Sequence, residues 1–169
     1  MESLPDISNE SLFTDPKEAK IFVDKTGVDS LAIAIGTSHG ICKFQGEPKL
    51  EFEILKDIEE LLPNFPLVLH GASSVDEKTI EEINLLGGQI KKAKGVPAEM
   101  LSKACTMHNV CKINVDTDIR MSTTLALKKY FNEFPDNVDT KKYFKTAQDA
   151  ISKLVEYKIC HVFHSNNKA

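Results

Sequence analysis

The sequence predicts an α/β fold built on a parallel sheet, and three observations carry that expectation. Short, largely apolar runs of strand length, SLAIAI at 30–35, LVLH at 67–70 and CKINV at 111–115, recur about 35 to 45 residues apart. Helical patterns fill the intervals, so each return to the sheet passes through the crossover that parallel strands require. SLAIAI is apolar without alternation, as in strands covered on both faces. A closed (β/α)8 barrel takes about 250 residues, whereas this chain has 169. Three strands therefore suit part of a barrel, with an open doubly wound sheet as the competing arrangement.

Residues 1–14 read as a polar N-terminal loop truncated from a longer chain, and 15–169 as one partial-barrel domain. Asp15, Pro16 and Glu18 form a helix start, with Asp as N-cap and Pro at the first helical position, and Gly27 stops the helix. After the run at 30–35 comes a loop, then a helix over 50–62 whose Ile54, Leu55, Ile58, Leu61 and Leu62 share one face. Pro63 and Pro66 end that helix and open the strand that finishes at His70. Ser74 and Glu77 make a second capping box, so a helix is expected to begin about four residues after His70 and to close at Gly87 and Gly88. A short helix at 97–108, a third strand at 111–115, a helix from about Asp118 to Phe131 and two helical segments within 140–158 complete the order.

Composition narrows the function classes. An apolar content of 41% is enough for one buried core. A net charge of −4 without a dense Lys/Arg run argues against a nucleic-acid partner. No apolar run approaches the ~20 residues that span a bilayer. MESLPDISNE lacks the charged start and apolar centre of a signal peptide, so no membrane partner and a cytoplasmic location are expected. Cys42, Cys105, Cys111 and Cys160 form no CxxC pair and read as reduced thiols, mostly packing.

Polar residues gather where chemistry belongs. Parallel α/β folds bind ligands beyond the C-terminal ends of their strands, and here those ends carry GTSHG at 36–40, HGASS at 70–74 and NVDTD at 114–118. His39 and His70, each followed by glycine, are candidate zinc ligands, against the plainer reading of two loop histidines. A catalytic zinc takes three protein ligands, so two make most of a site. The segment 71–74, leading into a capped helix, suits a phosphate and equally suits a plain turn with an N-cap. Asn114, Asp116 and Thr117 either bind sugar hydroxyls and phosphate oxygens or cap the next helix, although capping does not account for Asn114. His108, His161 and His164 lie away from strand ends, and Lys91, Lys92 and Lys94 form a solvated turn.

At these residues the sequence resembles the class II, metal-dependent fructose-bisphosphate aldolases. The segments TDPKEAKIFVDKTGVDSLAIAIGTSHGICKF, PLVLHGASSV and CKINVDTDIRM resemble family segments in the right order, and the likeness runs from about residue 13 onward. The resemblance implies the C-terminal half of a TIM (β/α)8 barrel. It also implies reversible cleavage of fructose 1,6-bisphosphate to dihydroxyacetone phosphate and glyceraldehyde 3-phosphate, as in glycolysis and gluconeogenesis. By that resemblance His39 and His70 are two ligands of a zinc ion, and a monovalent cation is a further candidate ion. Gly40, Gly71, Ala72, Ser73, Asn114, Val115, Asp116 and Thr117 would hold the triose-phosphate half of the substrate, with Asn114 also catalytic. Arg120 would reach the far phosphate across a subunit boundary. The family's His-Leu-Asp-His-Gly type motif, which brings the remaining zinc histidine and the acid/base aspartate, has no counterpart here. Half a barrel completed by another segment or chain, or a homo-oligomer, is therefore expected. HGASS in place of HGGSG, the long segment 87–109 and the ending FHSNNKA also depart from the family pattern. Tagatose-bisphosphate aldolase is the nearest alternative, and a half-barrel that only binds phosphate or a partner is the non-enzymatic one.

Overall fold

The computed structural model describes residues 13–36, 49–91 and 94–168. Three strands, β1 (Leu31–Ile33), β2 (Leu67–Leu69) and β3 (Val110–Ile113), alternate with helices α1 (Pro16–Thr26), α2 (Phe52–Leu61), α3 (Glu77–Leu85), α4 (Ala98–Met107), α5 (Asp116–Glu133) and α6 (Thr140–Tyr157). The strands pair in the order β1-β2-β3 and run parallel. Leu31 lies beside Leu67 and Ile33 beside Leu69, while Leu69 faces Ile113. All three C-terminal ends thus open onto one edge of the sheet.

The helices form where local chemistry directs them. Asp15 caps α1 by accepting the backbone N–H groups of Lys17 and Glu18 at 2.8 and 2.9 Å, and Gly27, at φ 65°, closes it in the left-handed region. On α2 the expected face is buried at Leu55 and Ile58, and Leu62 just beyond it is buried too, whereas Leu61 remains 38% exposed at the edge of the stripe. Leu55, Ile58, Leu67, Leu69, Leu101 and Val162 are fully buried around the sheet, each contributing about 1.5–3 kcal/mol of apolar burial. A smaller cluster of Val75, Ile80, Ile83 and Met121 joins α3 to α5.

Several boundaries differ from the sequence expectation. Helix α3 is capped by Asp76, whose carboxylate accepts from Thr79 N–H at 2.9 Å, and not by Ser74. Ser74 is engaged elsewhere, and Val75 at φ 51° holds the chain out of the helix for one more residue. Strand β3 stops at Ile113, and α5 starts at Asp116, so Asp116 and Thr117 lie in its first turn. The region 140–158 is one helix, followed by a π-helical turn, Lys158–Val162. Thr14, expected in a free loop, is pinned beside β1: its N–H donates to Ala34 O and its Oγ1 accepts from Ala34 N–H, both at 2.8 Å. No helix of the described residues is long and apolar enough to cross a membrane.

Candidate functional site

The ladder between β2 and β3 continues one residue past the strands, where Asn114 N–H donates to Leu69 O at 3.1 Å. That contact sets Asn114 beside His70, with Asn114 Nδ2 and His70 Nδ1 2.8 Å apart. Lys112 Nζ lies 2.9 Å from Asn114 Oδ1. An ammonium can only donate, which identifies that amide atom as the oxygen and leaves Nδ2 as the donor toward the imidazole. His70 Nδ1 therefore accepts, and the proton of the neutral ring sits on Nε2.

After His70 the chain turns through Gly71 at φ 63°, a conformation open to glycine and costly for most side chains. Ala72 and Ser73 are buried. Ser73 Oγ accepts Thr117 N–H at 3.2 Å, and Ser73 O accepts Val96 N–H at 3.1 Å. The next two amides go to one carboxylate: Ser74 N–H donates to Asp118 Oδ2 at 3.0 Å and Val75 N–H to Asp118 Oδ1 at 2.8 Å. Lys158 Nζ then reaches Asp118 Oδ2 and Ser74 Oγ, each at 2.7 Å. The Lys158 and Asp118 side chains are only 5% and 6% exposed. Gly95 backs the loop so closely that a Cβ there would collide with the carbonyls of Ser73 and Ser74.

The structure brings together His70, Gly71, Ala72, Ser73, Asn114, Val115 and Thr117 at the ends of β2 and β3. Asp116 and Arg120 sit on the first turns of α5, largely exposed, and pair with each other at 2.9 Å. His39 and Gly40 lie outside the described residues, as does Lys92. Among the described residues no group of three or more His, Cys, Asp or Glu side chains is placed to hold a metal. The histidines expected to be ordinary have ordinary roles. His108 bonds Glu59 at 2.7 Å and stacks on Phe52, His164 bonds Ser102 at 2.8 Å, and His161 lies against the Tyr157 ring.

Asp118 and Lys158 were not among the expected site residues. Asp118 carries the signal of a helix-start acid, which hides its inward role. Lys158 ends an amphipathic helix and has nothing in its neighbours to mark it as buried. A hollow of about 840 Å³ is bounded by Ser74, Lys94, Asp118 and Lys158 among others, and not by His70 or Asn114. Elsewhere, burial pushes the Cys105 thiol up to about 11, with the nearby Cys111 adding to the rise.

Residues 2–168 match the family model described as fructose-bisphosphate aldolase class-II. The chain is 41% identical over 175 aligned positions to a fructose-bisphosphate aldolase of Treponema pallidum, covering 96% of this chain and 52% of the relative. Against the fructose-bisphosphate aldolase of Giardia intestinalis the identity is 44%, covering 91% and 48%. The fold matches the crystal structure of the YdjI aldolase from Escherichia coli with a TM-score of 0.69 and 29% identity, over 93% of this chain and 48% of that one. The chain thus spans about half the length of the relatives it matches.

Proposed function

Because the chain belongs to the class-II fructose-bisphosphate aldolase family, we propose that it supplies the C-terminal half of an aldolase active site that reversibly cleaves fructose 1,6-bisphosphate. The observation that carries this reading is the pairing of His70 with Asn114 across the ends of adjacent parallel strands, with the loop of Ser73 turned toward the start of α5 beside them.

His70 would hold a zinc ion through Nδ1, its unprotonated nitrogen at a strand end, with the Asn114 amide that donates there released toward the substrate. His39 is the second proposed ligand from this chain. When bound, the zinc supplies Lewis-acid polarisation of the substrate carbonyl. The rest falls to the chain's own groups. Backbone N–H groups at Gly71, Ala72 and Ser73, with the Ser73 hydroxyl, hold the triose phosphate and fix the reacting carbons in place. Ser73 Oγ already accepts from Thr117, which leaves its proton for a phosphate oxygen. Asn114, beside Val115, offers amide N–H groups to a triose oxygen as negative charge develops there during cleavage of the C3–C4 bond. Asp116 and Thr117 flank that oxygen's side of the site, and Arg120 serves the far phosphate in an oligomer. The acid/base group and a third zinc ligand come from the segment that completes the barrel, and a monovalent cation is a further candidate beside the phosphate.

The test is a titration of the isotope-labelled chain with dihydroxyacetone phosphate in the presence of zinc, followed by amide chemical shifts. Shifts concentrated at 70–74 and 114–117 are expected. Binding that leaves those amides unmoved would refute the assignment.

A further inference from the structure

We propose that Lys158 is a positioning residue for the phosphate loop, a role that rests on reading residues 71–73 as the phosphate seat. A lysine buried with its ammonium inside the fold is costly unless paired and hydrogen-bonded. Lys158 meets both conditions in one place, and the partners it has are those that shape the loop. Its Nζ is 2.7 Å from Asp118 Oδ2 and 2.7 Å from Ser74 Oγ. Asp118 in turn accepts the amides of Ser74 and Val75 on its two oxygens. Three segments distant in sequence, the turn after β2, the first turn of α5 and the π-helical turn after α6, are thereby tied at one point.

Two consequences follow for an anion at the loop. First, the Ser74 and Val75 amides are committed to Asp118, so the seat ends at Ser73. Val75 is held at φ 51°, a left-handed conformation that is costly for a β-branched residue and persists where the surroundings fix it. Second, the Asp118 carboxylate lies directly behind a loop assigned to a phosphate, and by itself it would repel that ligand. The Lys158 ammonium cancels the charge without entering the seat. The π-helical turn, which begins at Lys158, is a local widening often found at functional positions.

The test uses the full chain with inorganic phosphate as probe, comparing wild type with Lys158→Met, Lys158→Arg and an exposed control, Lys153→Met. Two readouts are taken: amide exchange at 71–75 relative to β2, and phosphate affinity by ³¹P NMR. Lys158→Met is expected to speed exchange of the Ser74 and Val75 amides at least tenfold while Leu67–Leu69 stay protected, and to weaken phosphate binding at least tenfold. Lys158→Arg is expected to recover most of both, and the control neither to gain nor to lose. Unchanged exchange at Ser74 and Val75, or a loss of affinity no larger than in the control, would overturn the role of Lys158. If Lys158→Met does not fold, Lys158→Gln, which keeps a donor for Asp118 and Ser74 but carries no charge, takes its place. With that variant, wild-type exchange at Ser74 and Val75 together with wild-type phosphate affinity would overturn the proposal, and fast local exchange with weakened phosphate binding in a folded chain would support it. Failure of the wild-type chain to bind phosphate would overturn the phosphate seat itself, a result distinct from the exchange outcome.

Discussion

Replacing Asn114 by aspartate keeps the shape of the side chain and removes its N–H donors, so it isolates the bond that sets the His70 tautomer. In the wild type Nδ1 accepts from Asn114. With a carboxylate opposite, Nδ1 is expected to carry the proton, a change that the ¹⁵N shifts of the His70 ring report. A ring whose Nδ1 still lacks a proton would mean that Asn114 does not govern it. Cys105 offers a separate check on burial. Its thiol is raised to about 11, so alkylation of Cys105 should stay slow through pH 9 and accelerate only toward pH 11. The sign for stability follows: between the ordinary thiol range near 9 and about 11, unfolding releases a proton that the folded chain holds, so this contribution falls as pH rises. Labelling of Cys105 at pH 8 as fast as a free thiol would contradict the burial. At this scale the sequence was partly legible. Polar residues at strand ends mark His70, Ser73 and Asn114, because those ends are where parallel folds bind ligands. Lys158 is illegible because its role depends on a contact 84 positions away along the chain.

Among the elements, the start of α3 separates local signal from tertiary outcome. Ser74 with Glu77 fits a capping box, yet Ser74 Oγ bonds Lys158 and the cap passes to Asp76. Asp76→Ala is therefore expected to cost about 1 kcal/mol in urea unfolding. A change near zero would return the cap to another residue. Elements whose signals are wholly local were readable: Asp15, Pro16 and Gly27 bracket α1 as expected, and Leu55 and Ile58 mark the buried face of α2. The early start of α5 was not, since Asp116, Thr117 and Asp118 all suit a helix beginning and only tertiary bonds decide among them. Ser73 takes the Thr117 amide and the 74–75 amides take Asp118, which draws the first turn of α5 against the loop.

For the whole molecule, the relation to its relatives matters most. Three parallel strands and their helices form a partial (β/α)8 barrel, and the chain covers about half of each relative. Phe131, Phe134 and Phe144 stand partly exposed on the paired α5 and α6, next to Tyr130 and Tyr143. The class of fold was legible because crossover spacing and buried strands are written into local composition. The most direct measurement is cleavage of fructose 1,6-bisphosphate by the purified chain with zinc, alone and with a separately expressed N-terminal half of a class-II aldolase relative. Activity that appears only with both halves, and is lost in His70→Ala, is the expected result. Full activity from this chain alone, or none from the pair when both halves are folded and associated, would contradict the assignment of half an active site to this chain.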